Sequence, residues 1–218
     1  GSTVGWAGEV DAAADGAGTF GEVELSPKRL TAYVDISKQF LIQDSVSAEA
    51  LLRKDIVDAI SNKLEATILG AEAGSTTKPA GLFNAVVADE ADITYKDIVA
   101  MEQKLEEANV SGNITFIASP YAKATLKTTA IGGTKSDVRM LMDSGEVDGY
   151  PVLVTNGMAK KGLILGNFND LVIGQWGGID LTVDPYTQAA NGKIRLVVNA
   201  YFDAKPQRAA SFVKKVLK

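Results

Sequence analysis

Leu52, Ile56, Ile60, Leu64 and Ile68 stand four residues apart and form the strongest periodic signal in the chain. That spacing lays one apolar stripe along an α-helix. Lys54, Asp55, Asp58, Asn62 and Glu65 fill the opposite face. Ser47 is the expected N-cap, Glu49 sits in the first turn where the helix dipole favours an acid, and Gly70 and Gly74 offer stops. The predicted helix, 47–70, is about 35 Å long at the α-helical rise, which suits a spine. Ahead of it, Leu30, Ala32, Val34 and Ile36 alternate with Thr31, Tyr33 and Asp35, the pattern of a half-buried strand. A short helical turn from Ser37 should carry Phe40 and Leu41 inward until Asp44 and Ser45 break it.

The first 26 residues read differently. Strand-like flanks, Trp6 to Val10 and Phe20 to Leu25, surround the glycine- and alanine-rich stretch from Asp11 to Gly18. This predicts a long hairpin with a loose tip. So little apolar surface cannot hold a two-stranded hairpin in water, so the arm needs another surface to lie on.

Beyond the long helix, residues 71–93 are mostly connection, with a turn at Pro79-Ala80-Gly81-Leu82. Thr94, with Asp97 three residues later, opens a second helix whose inner face is Ile98, Met101, Leu105 and Ala108. A strand over 114–118 follows. Ser119-Pro120 then starts a third helix that runs to about Thr128. A loop holds Ile131-Gly132-Gly133-Thr134-Lys135-Ser136. From Tyr150 onward, aliphatic and β-branched runs at 151–154, 162–166, 171–174, 179–183, 194–198 and 211–213 predict strands. Strands, a long helix, a mixed stretch and more strands make an α+β protein.

Composition narrows the chemistry. The 218 residues include no cysteine and no histidine, which excludes disulfides, zinc-ribbon sites and imidazole acid–base catalysis. The net charge of −5 gives no basic footprint for gripping nucleic acid. No apolar run reaches the roughly 20 residues that cross a bilayer. The opening Gly1-Ser2-Thr3 is of the kind left at a trimmed end, and a missing N-terminal part is expected.

Sharper motifs fail on their details. Gly132-Gly133-Thr134-Lys135-Ser136 lacks the glycine directly before the lysine that a phosphate loop requires, and it follows a helix. Asp55 with Asp58, and Glu102 with Glu106, lie at helical spacing on polar faces, where solvated surface is the better reading. Asn109-Val110-Ser111 and Asn113-Ile114-Thr115 match the glycosylation acceptor pattern without a secretory signal beside it. Trp176 beside Gly177-Gly178 reads as a core or contact residue. No catalytic, cofactor-binding or metal-binding residue is expected.

A series of short landmarks resembles a known family. These are Trp6 and Glu9; Val34-Asp35-Ile36-Ser37 with Leu41 and Asp44-Ser45; Lys78-Pro79-Ala80-Gly81-Leu82-Phe83; Gly149-Tyr150-Pro151-Val152-Leu153-Val154 with Met158; Gly166-Asn167-Phe168; and Ile194-Arg195-Leu196 through Asp203, Pro206, Ala209 and Phe212. In this order they are similar to the major capsid proteins of tailed phages, the HK97-like fold shared with encapsulin shells. The resemblance spans essentially the whole chain, although the family's N-terminal arm and scaffolding region are not visible.

It implies an extended loop over 1–36, a peripheral domain over 37–95 and 190–218 that holds the spine helix, and an axial domain over 96–189. It also implies a non-enzymatic subunit that assembles into pentamers and hexamers of a virion shell in the bacterial cytoplasm. Such a shell encloses nucleic acid without specific tight binding and uses no cofactor, membrane or small-molecule substrate. Trp6, Val10, Phe20, Val23 and Leu25 in the arm, and Ile131, Gly132 and Gly133 in the loop, are the expected subunit contacts. Some relatives cross-link a loop lysine to a neighbour's asparagine; Lys28 and Asn199 are residues of the right type, with an exposed lysine and a strand asparagine as the simpler reading. The alternatives are an encapsulin-like compartment and an α+β enzyme built around a deep pocket.

Overall fold

The computed structural model describes residues 22–39, 45–88, 91–132 and 139–218. Most of the expected hairpin, Phe40, Leu41 and the loop from Gly133 onward lie outside these residues. Two sheets organise the rest.

In the first sheet, strand β1 (Lys28–Ser37) pairs antiparallel along its whole length with a long strand, Lys193–Pro206. That strand pairs on its other side with Leu171–Asp184, a hairpin neighbour. Numbered in chain order these are β7 and β6, and the sheet order is β1-β7-β6. Helix α1 (Ser45–Ile68) lies on one face. Ile56 and Ile60 are buried there against Val198, Ala200 and Phe202, with Leu64, Leu30, Val34, Leu181 and Leu196 packed around them. The apolar stripe is therefore the surface that docks the helix on the sheet. The Leu52 side chain lies outside the described part. The helix starts two residues before Ser47, so Ser47 falls inside it instead of capping it.

The second sheet contains β2 (Ile114–Ala118), β3 (Glu146–Val147), β4 (Tyr150–Val154), β5 (Gly162–Asn167) and β8 (Phe212–Val216). Their order is β3-β4-β2-β5-β8, and β2 and β4 run parallel. Helices α2 (Tyr95–Glu107) and α3 (Pro120–Thr128) bury Ile98, Met101, Leu105, Ala122 and Leu126 against Phe116, Leu163 and Leu165. Both starts follow the predicted chemistry. The Thr94 N–H donates to the Asp97 carboxylate at 2.8 Å, and the Ser119 hydroxyl accepts from the Ala122 N–H at 3.2 Å.

A third cluster joins the two sheets: Ile68 and Leu69 at the end of α1, Leu82 and Phe83 in the following turn, and Ile164, Ala204 and Phe212. The turn is built so tightly that a Cβ on Gly81 would come within 2.1 Å of the Gly70 carbonyl oxygen. Only glycine fits there.

The structure corrects several expectations. The separate strands at 171–174 and 179–183 are one strand, β6, with a register shift between Trp176 and Asp180. Gly177, at a φ of 70°, makes this irregularity instead of ending the strand. The run at 194–198 continues because β1 bonds it as far as Phe202 and β6 as far as Pro206. In the sheets, β6 stands with β7, and β8 stands with β5. Backbone ladders, not chain order, decide that grouping. Glu65, expected on the polar face of α1, instead accepts a hydrogen bond from the Thr155 hydroxyl just after β4.

Candidate assembly surfaces

Alternation along β1 leaves Tyr33 and Asp35 on the face away from α1, and the register brings Asp35 beside Arg195. Arg195 donates from Nε and Nη2 to the two Asp35 oxygens at 2.7 and 2.8 Å. Its guanidinium also stacks 4.2 Å from the centre of the Tyr33 ring. The Arg195 hydrogen bond holds the Asp35 carboxyl below its ordinary range. Planar recognition on both sides fixes a flat, ordered patch. Tyr33 is nonetheless 63% exposed, and Ile173 and Val183 of β6 and Leu153 of β4 are also more than half exposed. Large apolar side chains standing on flat strands mark a contact surface better than a catalytic cleft. The sequence pattern holds the signal for Tyr33, an aromatic on the polar side of an alternating strand.

At the base of the arm, Lys28 and Asp203 form an ion pair at 2.7 Å, with only 9% and 1% of their side chains exposed. Burial pushes the Asp203 carboxyl up, but the Lys28 ammonium and the backbone N–H groups of Ser26 and Ala204 outweigh it and hold it below its ordinary range. Lys28 is therefore engaged within its own chain. Asn199 Oδ1 is buried without a hydrogen-bond partner among the described residues. Glu24 offers its carbonyl to Lys205 at 2.5 Å. Val23 and Leu25, expected as subunit contacts, are half-buried in their own body.

Around the second sheet, Asp97 also pairs with Lys215 at 2.8 Å. Burial pushes Asp97 up, but Lys215 and Thr94 together pull it down to about 2. Tyr150 donates to Glu102 at 2.7 Å, which pushes the phenol up to about 12. Glu102 is thus a hydrogen-bond acceptor for a core-edge tyrosine, and Asp55 and Asp58 are exposed. Ile131 packs on its own core, Gly132 is exposed, and Gly133 lies outside the described residues, as do Trp6, Val10 and Phe20. Among the described residues there is no cluster of acids fit to hold a metal, and no helix is long and apolar enough to cross a membrane.

Comparison with known proteins gives one consistent pattern. A major capsid protein of Halomonas phage phiHAP-1 is 27% identical over 200 residues, covering 88% of this chain and 32% of that protein. The chain thus spans about a third of the length of the curated relative it matches. Among solved structures, the capsid of a native GTA particle superposes with a TM-score of 0.74 at 18% identity, covering 100% of this chain and 81% of that one. A Gordonia phage Cozz chain reaches 0.63 at 16% identity, over 99% and 78%. The SrpI encapsulin of Synechococcus elongatus PCC 7942 reaches 0.60 at 15% identity, over 88% and 73%. These likenesses establish an HK97-like α+β fold. The family model described as the phage capsid family matches residues 1–217, and with the two-sheet architecture beneath it this chain belongs to the phage capsid family.

Proposed function

We propose that the chain is a major capsid subunit whose copies close into an icosahedral phage or prophage shell around the genome. The observation that carries this reading is the family match over residues 1–217. The physical features that support it are flat strands with exposed apolar side chains and an arm too poor in apolar surface to stand alone. In the closed shell, cyclic head-to-tail contacts build pentamers and hexamers. The peripheral region comprises α1 with the β1-β7-β6 sheet, and the axial region comprises the five-stranded sheet with α2 and α3. The segment ahead of β1 reaches over a neighbour, where Trp6, Val10 and Phe20 bury apolar area worth about 25 cal/mol per Å². The acidic net charge suits an interior that encloses nucleic acid without gripping it. No cofactor, membrane or small-molecule substrate is involved, and assembly takes place in the host cytoplasm.

Negative-stain electron microscopy of the protein expressed with its natural N-terminal region tests the proposal. Closed particles are expected. Monomers with a measurable catalytic turnover would overturn it. Particles that retain a protein cargo in place of nucleic acid would move the reading to an encapsulin-like compartment, the second reading that the SrpI likeness favours.

A further inference from the structure

Strand β8 carries two adjacent lysines in opposite situations. Lys215 has the Asp97 carboxylate at 2.8 Å. Lys214 belongs to the other face of the strand, because side chains alternate. On that face its neighbours along β8 are Phe212 and Val216, and its register partner on β5 is Ile164. All three pack in the cluster that joins the two sheets. Lys214 therefore brings an ammonium into an otherwise apolar row. It is half-buried, and among the described residues no hydrogen bond or ion pair holds it. Burial pushes it below its ordinary range.

The same residue lines a cavity of about 230 Å³ at the joint between the sheets. The other walls come from the end of α1, the turn over 80–84, the start of β6 and the end of β7. Ile68, Leu82, Leu171 and Pro206 make the lining mainly apolar. No aspartate or glutamate is among its described lining residues. Lys205 adds a second positive charge, its ammonium donating to the Glu24 carbonyl at 2.5 Å.

We infer that this cavity binds a short aliphatic monocarboxylate, with the carboxylate on the Lys214 ammonium and the chain against Ile68, Leu82 and Leu171. Three observations select the ligand class. An ammonium partly withdrawn from water without an acceptor is where an anion gains most. The apolar lining rewards an aliphatic tail and offers too few donors for a phosphate group. The volume lies below the roughly 300–1,000 Å³ of drug-sized sites, which limits the chain to about four to six carbons. The inference goes beyond the shell reading and does not depend on it, because every wall belongs to one subunit. A ligand held there touches both sheets of the folded chain, so it should raise the melting temperature as its concentration rises.

Titration calorimetry on the full chain tests this with sodium hexanoate, sodium butanoate and sodium phosphate. Hexanoate should bind at one site per chain. Butanoate should bind about fifteenfold more weakly, since each methylene moved onto an apolar lining is worth about fourfold. Phosphate should give no heat of binding. Lys214→Met keeps the bulk of the side chain and removes its charge. It should weaken hexanoate about tenfold or more, the loss expected for a charge-assisted hydrogen bond. The variant should melt no lower than the parent protein, since it gives up an unpaired ammonium at an apolar position. A chemical readout uses the unaltered protein. Hexanoate should protect Lys214 from acetylation by sulfosuccinimidyl acetate, read by peptide mass spectrometry, while the exposed Lys160 reacts as before. Hexanoate that binds the Lys214→Met protein as tightly as the parent would overturn the inference. So would phosphate that binds as tightly as hexanoate, or acetylation of Lys214 that hexanoate leaves unchanged. Shell formation is scored on particles and ligand binding on the subunit, so each reading can fail alone.

Discussion

Lys28 and Asp203 illustrate how a charge pair at the foot of the arm holds the chain's course. Asp203 is almost fully enclosed, so removing its partner strands a buried charge, which costs about 3–5 kcal/mol. Lys28→Met should lower the stability measured by urea unfolding by that amount, and Lys28→Met with Asp203→Leu should recover most of it. Asp97 makes a second test. Its folded pKa of about 2 lies below the ordinary 3.8, so its contribution is present above the ordinary value and is lost as pH falls through the folded one. Asp97→Asn should cost about 1 kcal/mol through the lost helix cap and ion pair. Thermal melts should show a shallower decline than the parent protein between about pH 4 and pH 2. The capping role of Asp97 was legible from Thr94 three residues before it. The partner Lys215, 118 positions away, was not, because nothing local links them.

At the scale of elements, α1 is docked on the first sheet by its apolar stripe. Ile60 is buried against β7, and Ile60→Ala should destabilise the protein by about 2–5 kcal/mol, a transfer loss plus a cavity. Chemical denaturation checks this, and exposed Asp58→Ala on the same helix should change stability by less than about 0.5 kcal/mol. Periodicity disclosed the long helix, β1 and the inner face of α2, because each repeats its apolar positions over several turns or residues, while Ser119-Pro120 marked the start of α3. It divided β6 in two, because Gly177-Gly178 looks like a strand end when no partner is in view. The two-residue β3 left no signal, since so short a strand has no period.

Across the whole molecule, the proposed shell reading gives the arm and the body different tests. The three buried clusters lie among residues 56–217, so deleting residues 1–21 should leave the unfolding midpoint of the subunit within the small range expected of surface changes. Shell formation should be lost, scored by electron microscopy and sedimentation. A matching loss of stability would mean that the arm belongs to its own core. The assembly surfaces were only partly legible. The arm's poverty in apolar surface was plain from composition. The exposed Val183 was not, because its exposure depends on elements far apart in the chain.

The sequence by itself determined the element order, the inward faces, the absence of thiol and imidazole chemistry, and the family pattern. All of these are set by local spacing, residue type or their sum. Only the tertiary structure decided that β6 is one strand, that β8 crosses into the second sheet, that Glu65 meets Thr155, and that Lys28 meets Asp203. Those outcomes depend on which backbone edges and side chains approach across long chain separations, and a one-dimensional pattern carries no distance between them.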